Sequence, residues 1–261
     1  MMLSSQYELQ LGSYILPKTF AVVSDEYAVK AGIYEHPQND GACASFPYLS
    51  SRRMKLAGTV HSGTFCSTVN RSESVREPLD VVLSRLRAAP TTFKMYPDRE
   101  WRGVYAETQK SAYENQSAAR FATVEFDIVM PDPYQYLVAT SSSPTNSISA
   151  SPTTVTISAG GLFKTPAKFS VTIGGSGAQT IAISVSNTTT GQAFTLTGAV
   201  TGGDVIDVDA YNHTVKIGTV NKISLFDGVF VDLNNSANSV VVAYNTGTIT
   251  NLAATWNERY L

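Results

Sequence analysis

Residues 123–130, TVEFDIVM, alternate between apolar and polar side chains. Every second residue there is large and apolar: Val124, Phe126, Ile128 and Met130. Because successive side chains of a β-strand point to opposite faces, this alternation predicts a strand with one buried face. Residues 7–11 also alternate, and a further strand is expected at 53–60. TTFKMY and WRGVYAE flank the turn sequence PDRE, which predicts a hairpin over 91–107.

The stretch between Pro78 and Pro90 has a helical period instead. Its apolar residues recur at i, i+3, i+4 and i+7: Leu79, Val82, Leu83 and Leu86. This spacing predicts a helix with one apolar face, and we expect these four residues to anchor it to the sheet. Proline suits the first position of a helix and also ends one. The first half therefore predicts an α+β domain, a β-sheet with one main helix.

From residue 153 onward the sequence predicts one short strand after another. Segments such as KFSVTIG, TIAISVSN, DVIDVDA and SVVVAYN are separated by turns rich in Gly and Asn. Strands repeated at intervals of about 8–12 residues are typical of a β-sandwich or a jelly roll. The second half therefore predicts an all-β sandwich.

The segment MPDPYQYL, 130–137, separates these two patterns. Pro131 and Pro133 each remove a backbone donor, so the preceding strand must end there, while Tyr134 is free to pack back on the domain just completed. Most of the 19 basic and 21 acidic residues precede residue 140. We therefore expect an N-terminal domain over 1–138, a linker over 139–152 and a C-terminal β-sandwich domain over 153–261.

Composition excludes several classes of function. The formal net charge of -2 lacks the basic excess of a nucleic-acid-binding protein. No apolar run reaches the roughly 20 residues that span a bilayer, and the first residues lack the pattern of a signal peptide. We therefore expect folding in a cytoplasm, with Cys43 and Cys66 as free thiols. Whether these two thiols lie near each other is left open.

The residues offer little catalytic chemistry. His61 lies five residues before Cys66, but no family signature surrounds that cysteine. Asp204, Asp207 and Asp209 lack the spacing of a calcium loop and fit the outer positions of a strand. We therefore expect no enzyme, no cofactor and no metal, and assign packing roles instead. Trp101 is expected in the N-terminal packing or a subunit contact, and Trp256 and Tyr260 are expected to hold the C-terminus in the sandwich.

The order of these features resembles the distal tail proteins (Dit) of long-tailed, siphovirus-type bacteriophages. In the first half the resemblance rests on DVVLSRL at 80–86, MYPDREW at 95–101 and VEFDIVMPDPYQY at 124–136. In the second half it rests on TPAKFSVTI, GDVIDVDAYNHTV, GVFVDLNNSANSVVV and the terminal WNERYL. One departure is the turn LNNSAN, where the family usually has a proline and a glycine.

The resemblance implies a structural virion protein of the tail tip or baseplate hub. Proteins of this family form a hexameric ring that joins the tail tube to the tail-tip hub protein and continues the DNA channel. The N-terminal domains form the ring, and the C-terminal sandwich is called galectin-like. Receptor-binding or side-fibre proteins are further partners, and DNA passes without specific binding. The protein would be assembled in the bacterial cytoplasm and located in the virion.

Three other interpretations of the function stay open. A receptor- or carbohydrate-binding tail-tip protein would act through the C-terminal sandwich. A tail-tube subunit would polymerise into tubes instead of stopping at a closed ring. An enzyme would need a carboxylate pair or a triad, and the sequence nominates neither.

Overall fold

The computed structural model describes residues 8–27, 29–30, 33–35, 42–44, 48–61, 84, 91–113 and 121–261. The chain divides into two compact units, 1–136 and 137–261, which we call the N-terminal and C-terminal domains. Among the described residues no helix is long and apolar enough to cross a membrane.

The N-terminal domain is built from antiparallel strands. Its strands are β1 (Gln10–Leu11), β2 (Tyr14–Ile15), β3 (Ala21–Glu26), β4 (Val29–Lys30), β5 (Ile33–Glu35), β6 (Ala42–Ala44), β7 (Tyr48–Leu49), β8 (Arg52–His61), β9 (Thr91–Tyr96), β10 (Arg99–Tyr113), β11 (Phe121–Met130) and β12 (Gln135–Leu137). The main sheet has the order β2-β1-β9-β10-β11-β8-β3. Strand β4 pairs with β7, and β5 pairs with β6.

Strand β10 belongs to both halves of this sheet. Its first part pairs with β9 up to Val104, and its second part pairs with β11 from Tyr105 onward. A register shift between Ala106 and Thr108 and the positive φ of Gly103 (67°) lie at the change of partner. Bulges of this kind bend a strand. Side chains from both halves of the sheet therefore meet in one core, which includes Leu11, Phe93, Trp101, Leu56 and Phe126.

The alternation that predicted strand β11 is confirmed. The side chains of Val124, Phe126, Ile128 and Met130 are buried. Between them, Glu125 is exposed and lies 4.0 Å from Lys55 on the neighbouring strand β8. The two strands pair over ten consecutive residues, from Phe121 opposite His61 to Met130 opposite Arg52. The hairpin predicted over 91–107 corresponds to β9 and the first part of β10.

The prediction of an α+β N-terminal domain is wrong. A domain's class is set by the elements that bury its core, and the described core of this domain comes from strands and their connections. The one named helix of the described residues is a three-residue 3₁₀ turn, Ile223–Leu225, in the C-terminal domain. The predicted helix and its residues Leu79, Val82, Leu83 and Leu86 lie outside the described residues, apart from Ser84, whose backbone is helical.

The C-terminal domain is the β-sandwich that the sequence predicted. Its strands are β13 (Ser141–Ser142), β14 (Asn146–Ser147), β15 (Thr153–Ser158), β16 (Thr165–Ile173), β17 (Ala178–Asn187), β18 (Gln192–Thr201), β19 (Val205–Asp209), β20 (Thr214–Ile217), β21 (Val220–Asn221), β22 (Phe226–Gly228), β23 (Asp232–Leu233), β24 (Ala237–Thr246), β25 (Ile249–Trp256) and β26 (Arg259–Tyr260). One sheet has the order β13-β25-β16-β19-β20-β21, and the other has the order β15-β24-β17-β18-β22.

Inward-facing side chains of both sheets form one core, which includes Phe169, Val171, Ile183, Phe194, Val208 and Leu252. The residues expected to form a linker, 139–152, carry β13 and β14, which pair with β25. Ile148 in the same stretch is buried in this core.

Glycine closes one end of the sandwich. A Cβ atom added to Gly202 would lie 2.4 Å from the carbonyl oxygen of Gly175, so the two turns approach too closely for any side chain there.

Candidate assembly surfaces

The boundary segment MPDPYQYL forms a fixed turn after β11. The carboxylate of Asp132 accepts a hydrogen bond from the backbone N–H of Tyr134 (3.2 Å) and one from the hydroxyl of Tyr136 (2.6 Å). The guanidinium of Arg102 lies over the Tyr136 ring, 4.7 Å from its centroid. The segment therefore packs on the N-terminal domain and carries no catalytic arrangement of its own.

Trp101 connects this turn to the core of the N-terminal domain. Its indole is buried and stacks on Phe93, with 5.6 Å between ring centroids. Its Nε1–H donates to the carbonyl of Pro133 at 3.2 Å. The structure thus brings together Trp101 and Pro133 from the residues singled out in the sequence. Pro131 directly follows β11, and Tyr134 lies in the same turn. A role of Trp101 in a subunit contact stays a prediction.

A buried arginine fixes the outer strand of the same sheet. Arg52 on β8 is only 8% exposed, and it binds Asp25 on β3 in a forked ion pair, Nε to Oδ1 at 2.7 Å and Nη2 to Oδ2 at 2.5 Å. Its guanidinium lies 5.0 Å from the centroid of Trp101 and 5.5 Å from that of Tyr27. Two parallel hydrogen bonds to a carboxylate orient both partners. The pair therefore holds β3 in register.

The two ends of the main sheet expose different apolar side chains. At the β2 end, Ile15 is 50% exposed. At the β3 end, Val23 is 61% exposed, because a register shift between Val22 and Ser24 pushes it out of the ladder. Tyr27 is exposed directly after β3. Each end of the sheet therefore presents an aliphatic side chain that a neighbouring surface could bury.

In the C-terminal domain the predicted terminal residues have defined places. Trp256 is buried in the core at the end of β25. Its Nε1–H has no hydrogen-bond partner among the described residues. The Tyr260 hydroxyl donates to Glu258 at 2.7 Å, and the side-chain amide of Asn257 donates to the carbonyl of Leu137 at 2.9 Å. These bonds tie the C-terminal residues to the start of the same domain.

A buried amide pair organises the turn LNNSAN. The side chains of Asn187 and Asn238 are fully buried and joined by a hydrogen bond of 3.0 Å. The Asn238 oxygen also accepts from the backbone N–H of Asn234, and its Nδ2 donates to the carbonyls of Asn234, Ser236 and Ile157. Sequence reasoning missed this pair, because asparagines are frequent in every turn of this half.

The remaining candidates have structural roles or lie outside the described residues. Asp207 accepts from Ser170 and pairs with Lys168 at 2.8 Å, and Asp209 accepts backbone hydrogen bonds within its turn. Among the described residues no group of three or more His, Cys, Asp or Glu could hold a metal ion. Cys66 lies outside the described residues, and only the backbone of Cys43, in β6, is described.

Residues 160–260 match the family model for the siphovirus-type tail component, C-terminal domain. No curated protein sequence matches the chain. Among solved structures, the Dit protein of phage SPP1 is similar over 98% of this chain and 99% of that one, with a TM-score of 0.67 and 14% identity. It is described as a paradigm of the hub adsorption apparatus in Gram-positive infecting phages.

Two structures of the activated baseplate of phage P2, one with Ca and one with Sr, are similar over 92% and 91% of this chain. Their TM-scores are 0.44 and 0.43, at 7% identity, which is too distant to support any argument.

The match to the C-terminal domain and the fold shared over the whole chain agree with the order of motifs in the sequence. The predicted resemblance to the distal tail proteins (Dit) is therefore confirmed: residues 160–260 carry the C-terminal domain of the siphovirus-type tail component family, and the whole chain shares the fold of a Dit protein.

Proposed function

We propose that the N-terminal domains of six copies close into a ring at the tip of the tail tube. The ring joins the tube to the tail-tip hub protein and continues the DNA channel, and the C-terminal sandwich carries further tail-tip contacts. The observation that carries this proposal is the pair of unlike edges on one sheet: Ile15 at β2 and Val23 at β3.

A closed ring repeats one head-to-tail contact, so each subunit needs two different patches that fit each other. The β2 end offers Ile15 beside the half-buried Tyr14. The β3 end offers Val23 and Tyr27, and the Arg52–Asp25 ion pair holds that strand in place. Contact between the two ends would bury both aliphatic side chains.

A mixing experiment tests this head-to-tail arrangement. Ile15→Lys and Val23→Lys each place a charge in one patch and leave the other patch intact. We expect each variant alone to lose the ring. An equimolar mixture should form dimers and nothing larger, because the intact patch of each variant fits the intact patch of the other. Light scattering on the separate and mixed proteins gives the masses.

The matched control is Val220→Lys, at a side chain 56% exposed in the C-terminal domain, which should leave the ring intact. Circular dichroism checks that all three variants keep their fold. Rings formed by either edge variant would contradict the proposed contact. Dimers formed by one variant alone, with no further change on mixing, would show a two-fold contact instead of a head-to-tail one.

Location and cargo follow from the same proposal. A structural component of the tail resides in the virion, and assembly takes place in the host cytoplasm. A channel through which DNA slides should not bind phosphates tightly, and a formal net charge of -2 agrees with such a lumen.

Two alternatives stay predictions. Receptor or carbohydrate binding by the sandwich would be tested by glycan arrays, and a role as a tail-tube subunit would be tested by electron microscopy.

A further inference from the structure

Strand β15, TTVTIS, forms one edge of the five-stranded sheet in the C-terminal domain. Among the described residues it pairs with β24 alone, in an unbroken register from Thr153 opposite Val242 to Ser158 opposite Ala237. It contains no charged residue, no proline and no bulge. Edges of this kind are open templates for another strand, and natural proteins usually protect them.

The other edges of the described sheets are protected or shorter. Beyond Leu196, β18 has no further strand beside it among the described residues, and Gly198, with a φ of 145°, interrupts that part of its edge. Strand β3 has the bulge at Val23 and ends in two acidic residues, Asp25 and Glu26. Strand β22 has three residues, and β2, β13 and β21 have two each. Short strands, charges and bulges all discourage pairing with another chain. Among the described sheets, β15 is thus the edge left open over six residues.

The backbone groups that face the open side of β15 can be assigned. In an antiparallel pair, residues alternate between those bonded to the partner strand and those facing away. The N–H of Ala159 donates to Ser236, in the turn before β24, so the bonded set continues back through Ile157 and Val155. The N–H and C=O groups of Thr154, Thr156 and Ser158 therefore face away from β24. Among the described residues they have no further backbone partner.

The outer face beside this edge is uncharged as well. Thr154 lies opposite Val241, which lies opposite Ser186, which in turn lies opposite Ala193. The row parallel to it continues from Ala243 through Ser184 to Thr195. A strand added to β15 would extend a face of small, uncharged side chains. The row reaches a charge only at the far edge of the sheet, where Asp227 lies opposite Thr195, so the part of the face next to β15 favours an uncharged strand.

We propose that the open edge of β15 receives an extended, uncharged strand from a partner protein. The size of the edge decides between this occupant and a second copy of the chain. Six residues present a strip about 20 Å long and about 4.8 Å wide. A stable contact between two folded proteins buries about 800 Å² on each side. The edge alone is too small to hold two sandwiches together, but its six residues match the length of one added strand. The proposal does not depend on the ring.

The test uses the full chain and a fluorescein-labelled probe peptide of six alternating threonine and valine residues with a lysine at each end. Fluorescence anisotropy should show saturable binding to the wild-type chain. Thr156→Pro removes an N–H that faces the open side and leaves the bonds to β24 intact, since proline is tolerated at such edge positions. We expect it to weaken binding about tenfold, whereas Thr156→Ala should bind like the wild type.

Thr154→Pro is a second variant of the same kind, and thermal unfolding checks that both proline variants fold. Amide hydrogen exchange gives an independent readout: the peptide should slow exchange at Thr154, Thr156 and Ser158. No saturable binding, or equal binding by the folded proline variants, would overturn the proposal. Dimers of the wild-type chain that the proline substitution abolishes would also overturn it, because the occupant would then be a second copy.

Discussion

Replacing Trp256 with alanine is expected to lower the free energy of unfolding of the C-terminal domain by about 3–5 kcal/mol. The indole is buried at the end of β25, opposite Ser141 on one side and Ala167 on the other. Alanine would leave a cavity in the core at the end of β25, where this strand pairs with β13 and β16. Urea unfolding followed by far-UV circular dichroism measures the loss.

Trp256→Phe separates ring volume from hydrogen bonding. Because the Nε1–H of Trp256 has no partner among the described residues, phenylalanine removes a buried unpaired donor as well as part of the ring. We expect it to cost less than about 1.5 kcal/mol. Trp101 reports on the N-terminal domain in the same samples, and its fluorescence transition should not move. A loss below about 1 kcal/mol for Trp256→Ala would contradict a core position.

Asn238→Ala is expected to lower the same free energy by about 3–4 kcal/mol. The side-chain amide of Asn238 is buried. Its oxygen accepts hydrogen bonds from Asn234 and Asn187, and its Nδ2 donates to the carbonyls of Ile157 in β15 and of Asn234 and Ser236 in the turn. Alanine provides none of these bonds, and each buried group left without a partner costs about 1–3 kcal/mol. In a Trp101→Phe background, the fluorescence of Trp256 follows the unfolding of the C-terminal domain alone.

Asn235→Ala is the matched control for this turn. Its side chain is exposed and donates one long hydrogen bond to Leu162 at 3.3 Å, so we expect a change within about 0.5 kcal/mol. Equal losses for the two alanine variants would show that the turn is stabilised by its backbone conformation and not by the buried amide.

Patterns with a strict local period predicted the structure best. The alternation around Phe126 predicted the buried face of β11, and the two prolines of MPDPYQYL predicted where this strand ends. Both predictions depend only on neighbouring residues. The repeated strands after residue 153 gave the sandwich for the same reason. The α+β class was wrong because it extended one local helical pattern to a whole domain, whose described core is made by pairing between distant strands.

The candidate site depended on contacts that no local pattern contains. Arg52 and Asp25 are 27 residues apart, and Asn187 and Asn238 are 51 apart. Nothing about Arg52 in the sequence distinguishes it from its neighbour Arg53, yet one is buried beside Trp101 and the other pairs with Glu107 near the surface. Similarly, the exposure of Val23 follows from a bulge in pairing with β8, which the sequence of β3 does not signal.

The central claim is that copies of this chain close into one ring through unlike edges of the N-terminal sheet. The most direct test is the mass and shape of the purified protein, by light scattering together with negative-stain electron microscopy. We predict a species of six 28.0 kDa chains, seen as closed rings with a central opening. Open-ended tubes, two-fold dimers, or a chain that stays monomeric at the highest accessible concentration would contradict the claim.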